Sequence, residues 1–247
     1  MRNIKLTLEY DGSKFAGWQI QAKGFRTVQN DLTTIARKIF KEKINILGSG
    51  RTDSGVHALG QVAHFKTQSS MPLATIIRAF NGNLEKDISV LKAEEVPLKF
   101  HAQHSAKEKT YRYTILNRKA RCSLYRNTCF LFPHTLNLAR MKKEAKSLLG
   151  KKDFRSFQST NSSNKETKTI RTIKQISIKK AGDFIYIDMT ANGFLYRMVR
   201  NIVGTLLELG SKNPPQISVA KILRQKNRAG AGQSIPPQGL CLMNVKY

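Results

Sequence analysis

Acidic residues are scarce in this chain: 16 Asp and Glu stand against 43 Lys and Arg in 247 residues, a formal net charge of +27. A surplus of that size favours a polyanionic partner, because each neutralised phosphate releases counterions. Part of it is ordinary solvated surface, since the basic residues are spread along the whole chain. Cysteine is nearly absent, with only Cys122, Cys129 and Cys241. An odd count without close pairs argues against a disulfide framework and against a Cys-based zinc site. No run approaches the ~20 apolar residues that span a bilayer. The opening MRNIKLTLEYDG alternates apolar and polar residues and lacks the apolar core of a signal peptide. These absences lead us to expect a soluble protein of a reducing cytoplasm, with no membrane partner. Apolar residues at 40% and charged residues at 24% are otherwise ordinary for a globular chain long enough for two modest domains.

What is present reads as strands and helices in irregular alternation. Ile4, Leu6, Leu8 and Tyr10 alternate with Lys5, Thr7 and Glu9, the mark of a half-buried strand. Val28, Leu32, Ile35 and Ile39 recur at helical spacing behind Thr27, a suitable N-cap. Short strands follow at 44–47 and 61–67, then a helix opened by Pro72 and strands at 88–91 and 110–116. Leu138, Met141, Ala145 and Leu148 mark a further helix that stops at Gly150. Residues 158–169, QSTNSSNKETKT, have the composition of a mobile loop. A hairpin turns at 181–183, a long helix runs over 194–209, a shorter one lies near 217–223, and GLCLMNVKY closes the chain as a strand. Hairpins inside each half predict an α+β fold with a largely antiparallel sheet. We place a boundary near 102–108, giving an N-terminal half, 1–105, and a C-terminal half, 106–247.

The most informative stretch is GSGRTDSGVHALG at 48–60, with four glycines in thirteen residues. Such a loop adopts backbone geometry that other residues resist and lets a ligand approach the main chain. Its spacing fits neither GxxxxGK[ST] nor GxGxxG, so it is no phosphate cradle of those kinds. Asp53 beside Arg51 has two readings from the residues alone. It is a turn residue, the usual role of Asp among glycines, or a carboxylate kept charged by a neighbouring cation.

GRTDSGVHALGQVAHF resembles the signature of the TruA family of tRNA pseudouridine synthases almost residue for residue, with Ser54 where the family usually has Ala. The likeness continues in order through YDGSKFAGWQIQ near the start, FHAQHSAKEKTYRY at 100–113, DFRSF at 153–157, GFLYRMVRNIVGTLLELG at 193–210 and PPQGLCL at 236–242. It therefore spans nearly the whole chain. The resemblance implies a pseudouridine synthase fold: two similar α/β halves joined through a mostly antiparallel sheet, with flanking helices and a central basic cleft. It implies an isomerase that converts uridine to pseudouridine in the anticodon arm of tRNA, acting as a homodimer without cofactor or metal.

Carried over residue by residue, the resemblance makes Asp53 the catalytic aspartate and Arg200 its ion-pair partner. On a helical wheel Arg200 flanks the stripe Leu195, Met198, Val199, Ile202, Val203 and Leu206, while Arg197 lies opposite and is assigned to RNA contact. Tyr111, on one strand face with Tyr113 and Ile115, is placed against the target uracil, where its ring would stack on a base taken out of its helix. Arg51 helps hold the RNA, and Leu240 helps wall the pocket. Each has a plainer reading: a core tyrosine for Tyr111, solvent or phosphate contacts for the arginines, a loop fastener for Arg51, a buried strand leucine for Leu240. His101 and His104, with His57 and His64 near the loop, lack the thiolate or acidic companions of a tetrahedral metal site and read as packing or RNA-contacting residues. A ribosome-associated protein or RNA chaperone would explain the charge equally well. It would not explain an acidic group in the Gly-rich loop, since a carboxylate repels phosphate.

Overall fold

Strand β1 (Arg2–Tyr10) buries Ile4, Leu6, Leu8 and Tyr10, the alternating set that its sequence sets aside for a core. The computed structural model that shows this describes residues 1–21, 24–159 and 168–247. The chain forms two compact units, Met1–Lys107 with Cys241–Tyr247, and Glu108–Leu240.

In the first unit α1 (Val28–Phe40) is capped by Thr27, whose hydroxyl accepts the Asn30 N–H at 3.3 Å. Its inner face is Val28, Leu32, Ala36 and Phe40, while Ile35 and Ile39 stay half-buried at the rim. After β2 (Leu47–Gly48) comes β3 (His57–Thr67), which begins four residues earlier than its apolar run suggests. Then follow α2 (Leu73–Asn81), preceded by Pro72 at its cap, and β4 (Ile88–Val96). β1 pairs antiparallel with β3 on one side and β4 on the other. Phe40, Phe65 and Phe80 meet with ring centroids 5.3–6.4 Å apart, locking both helices to the sheet.

The second unit opens with β5 (Glu108–Leu116) and β6 (Phe130–Leu131), which pair in parallel. α3 (Leu138–Lys146) buries Met141 and Ala145, and β7 (Gly150–Asp153) starts at the glycine expected only to stop the helix. β8 (Ile170–Ala181) and β9 (Phe184–Ala191) form the expected hairpin, with Gly182 in its turn at φ +57°. Antiparallel ladders join β5 to β9, β9 to β8 and β8 to β7. Of the loop at 158–169, residues 160–167 lie outside the described residues.

α4 (Met198–Gly210) begins four residues later than the apolar stripe predicts. Arg197, at φ +57°, holds the N-cap position in a left-handed conformation, so the chain turns at Tyr196 and Arg197, and Phe194 and Leu195 are irregular rather than helical. Arg197 therefore lies outside the helix and on neither of its faces. Twelve of the thirteen α4 residues are buried, Glu208 being exposed, so this is a core helix rather than an amphipathic one. After α5 (Val219–Gln225) the chain ends in β10 (Leu240–Lys246), which pairs in parallel with β3 through Cys241 opposite His57 and Leu242 opposite Ala58. Residues 241–247, expected from the sequence to belong to the C-terminal half, thus pack in the first unit. Among the described residues no helix is long and apolar enough to cross a membrane.

Candidate active site

The Gly-rich stretch divides in two. Residues 49–56 are irregular, while His57–Gly60 already belong to β3, held there by β10. An added Cβ at Gly60 would meet Met243 O at 2.5 Å, so this glycine serves strand contact rather than the loop.

The loop is held from beneath by a buried polar network. Tyr10 Oη and Thr52 Oγ1 share a hydrogen bond of 2.9 Å. Gln61 Nε2 donates to Tyr10 Oη at 3.3 Å and to Gly50 O at 3.2 Å, and its Oε1 accepts from Ser49 Oγ at 2.7 Å. Burial pushes the Tyr10 phenol up to about 12, against the lowering effect of its bonds to Thr52 and Gln61, so the hydroxyl stays neutral and bridging. Sealed from water, such a network fixes the loop because each lost bond leaves an orphaned polar group.

From its flank the loop is held by the segment after β1. Trp18 N–H donates to Thr52 O at 3.1 Å, Ser54 Oγ donates to Phe15 O at 3.2 Å, and Gly12 N–H donates to His57 Nδ1 at 3.0 Å. A Cβ on Gly12 would collide with the Val56 carbonyl, and one on Gly17 would meet Thr52 O at 2.7 Å. The two stretches that looked like separate motifs in sequence are thus packed main chain to main chain. Val56 N–H returns to Asp53 O at 3.2 Å, closing a turn in which Gly55 has φ +77° at the position where a type II turn demands it. Asp53 opens that turn with a half-buried side chain, and Arg51 is exposed. Arg26, unremarked in sequence, lies 4.3 Å over the Phe15 ring and forks onto Asp87 at 2.6 and 2.8 Å, with Nε on Asp31 at 2.9 Å.

The other candidates belong to the second unit. β5 buries both Tyr111 and Tyr113 on one face, as the alternation predicts. Tyr113 is structural: its hydroxyl donates to Pro236 O at 2.7 Å, and burial pushes its pKa well above the ordinary tyrosine value while Arg200 pulls the other way. Arg200, in the first turn of α4 and 7% exposed, donates from Nε to Ile235 O at 2.7 Å. Consecutive carbonyls at 235 and 236 therefore bring the Arg200 helix and the Tyr111 strand to one short segment. The Tyr111 ring meets Phe194 edge-on at 5.2 Å. Arg197 is exposed, its guanidinium 5.0 Å from the Tyr196 ring. Leu240 is buried at the start of β10.

Three of the histidines, His57, His64 and His101, are engaged as acceptors. His64 Nδ1 accepts the Ala102 N–H at 3.2 Å, and His101 Nδ1 accepts those of Gln103 and His104. Burial pushes His64 down to about 4, with His101 4.9 Å away adding to the effect.

Comparison with known proteins adds an independent observation. The family model for tRNA pseudouridine synthase matches residues 7–105 and 145–247. The chain is 46% identical to tRNA pseudouridine synthase A of Thermoanaerobacter sp. (strain X514), 44% to tRNA pseudouridine synthase A 2 of Clostridium perfringens and 42% to tRNA pseudouridine synthase A of Caldicellulosiruptor bescii, covering all of both sequences each time. A chain of the archaeal box H/ACA sRNP Nop10–Cbf5 complex superposes at a TM-score of 0.36 with 8% identity, over 89% of this chain and 53% of that one, too distant a likeness to inform the site.

Proposed function

This chain belongs to the tRNA pseudouridine synthase family of isomerases, and on that premise we propose that it converts uridine to pseudouridine in the anticodon arm of tRNA with Asp53 as the catalytic residue. The reaction breaks the N1–C1′ bond, turns the base and rejoins it through C5, whose hydrogen leaves as a proton. Electrons and atoms balance within the nucleotide, so the chemistry calls for no redox partner or cofactor.

The observation that carries this reading is the clamping of residues 49–56 from two sides, by the Tyr10–Thr52–Gln61–Ser49 network and by the main chain of 12–18. A catalytic carboxylate gains from such rigidity, because a reacting group held in place needs no reorganisation when the bond breaks. The same clamping explains why Asp53 is both a turn residue and a candidate for chemistry. From the second unit we assign, on the family resemblance, Tyr111 as the platform for the extruded base, Arg200 as the cation that keeps the catalytic carboxylate charged, and Leu240 as an apolar wall. Arg51 and Arg197, both exposed, take phosphates or the bases beside the target. The charge of +27 supplies the general attraction to RNA. A homodimer acting in the cytoplasm completes the proposal.

The test is tritium release from tRNA labelled at uridine C5. Wild-type protein is expected to release label from substrate tRNA and none from a transcript whose anticodon-arm uridines are replaced by cytidine. No release from any tRNA overturns the assignment.

A further inference from the structure

Cys122 and Cys129 lie in the segment between β5 and β6, far along the chain from the loop described above. Its base is fixed: Phe132 N–H donates to Leu116 O, and Asn117 Nδ2 donates to Phe132 O and His134 O, all at 2.8 Å. Within it the N–H groups of Thr128 and Cys129 both donate to Tyr125 O, at 2.9 and 3.0 Å, doubling the chain back on itself. That reversal brings Cys129 to Cys122, and the Cys129 thiol donates to the Cys122 sulfur at 3.7 Å. Both are free thiols, Cys129 buried and Cys122 half-buried. At the tip between them Leu124 is 87% exposed and Tyr125 52%.

We propose that Cys122 and Cys129 form a reversible dithiol–disulfide site, oxidised by a peroxide. The sulfurs must close from 3.7 Å to about 2 Å, a movement open to a segment made of turns. Attack begins at Cys122, the more accessible sulfur, because burial and the neighbouring Cys122 push the Cys129 thiol up to about 12. Cys122 thiolate takes one peroxide oxygen and becomes a sulfenic acid, the other oxygen leaving as water once protonated. Cys129 then displaces the hydroxyl, its own proton completing a second water. Two thiols lose two electrons and two protons, and the peroxide is reduced to two waters. The product is a closed ring, 122–129, that fixes the tip carrying Leu124, Tyr125 and Arg126. Nothing in this depends on the isomerase reading, since the pair lies outside every residue assigned to it.

Trypsin cuts after Arg121 and Arg126, so the two cysteines fall on separate peptides unless a disulfide joins them. Folded protein treated with hydrogen peroxide and then alkylated is expected to lose two of its three free thiols and to yield the Cys122–Cys129 linked pair, reversed by dithiothreitol. Cys129→Ser is expected to accumulate Cys122 sulfenic acid, trapped by dimedone, well above the wild-type level. In Cys122→Ser, Cys129 is expected to remain a thiol, which keeps the test open should Cys129→Ser fail to fold. Intact thiols after treatment, dimedone trapping in wild type equal to that in Cys129→Ser, or links formed only between molecules would each overturn the proposal.

Discussion

Gly17→Ala probes the clamp on the candidate loop, and Gly150→Ala is its internal control. Gly17 has φ +99°, and an added Cβ would meet Thr52 O at 2.7 Å and the main chain of Asp53 and Ser54 at 3.2 Å. Gly150 has nearly the same φ, +91°, yet an added Cβ there meets nothing within 4 Å. Both substitutions therefore carry left-handed strain of about 1–2 kcal/mol. Only Gly17→Ala also drives a methyl group into main chain, which adds roughly 1–3 kcal/mol of overpacking. Urea unfolding is expected to show a loss of about 1–2 kcal/mol for Gly150→Ala and about 2–5 kcal/mol for Gly17→Ala. The loop can escape part of the clash by moving, but it then takes Asp53 with it. A displacement of about 1 Å lowers turnover on the order of a hundredfold. Gly17→Ala must therefore lose stability beyond its control, or tritium release, or both. Should it match Gly150→Ala in unfolding free energy and keep wild-type release, the clamping of the loop by 12–18 is wrong.

Tyr10→Phe removes the hydroxyl shared by Thr52 and Gln61 and is expected to cost about 1–3 kcal/mol by leaving buried polar groups unpaired, with a parallel fall in tritium release; denaturation and release assays on one preparation check both. His64 stays neutral in the folded protein down to about 4, whereas in the unfolded chain it protonates near 6.5. As pH falls through that window the unfolded state gains a proton that the folded state refuses, so stability drops by up to about 3 kcal/mol and then levels off. His64→Gln, which can still accept the Ala102 N–H, is expected to flatten that part of the profile; parallel curves for the two proteins would contradict it. Arg26→Ala strips Asp31 and Asp87 of a shared cation and is expected to cost about 1–3 kcal/mol, with Arg26→Lys recovering less than half, because an ammonium cannot fork.

Elements governed by local periodicity were legible in the sequence: β1 with its alternating core, α1 behind Thr27, and the β8–β9 hairpin at Gly182. Features imposed by distant contacts were not. The stripe that marks α4 runs on through Leu195, which is buried, but the left-handed backbone at Arg197 holds the helix start back to Met198. β10 reads as a strand, yet its parallel pairing with β3 leaves no local trace, so its allegiance to the first unit was invisible. The glycine density at 48–60 disclosed an unusual loop, but not that Gly12 and Gly17, from another stretch, are shaped to its main chain. Gln61 was the missed signal: a long polar side chain at the head of an apolar strand, which at 0% exposure must find partners, and finds them under the loop. Cys122 and Cys129 looked unrelated at seven residues apart, because only the reversal at Tyr125 brings their sulfurs together.

The most direct test of the central claim is Asp53→Asn, which keeps the volume and turn geometry of the side chain and removes its charge. tRNA binding and tritium release from uridine C5 are measured on the same protein. The expected result is binding at the wild-type level with release abolished. An asparagine variant that releases tritium at the wild-type rate would show that the carboxylate at position 53 is not what drives the isomerisation.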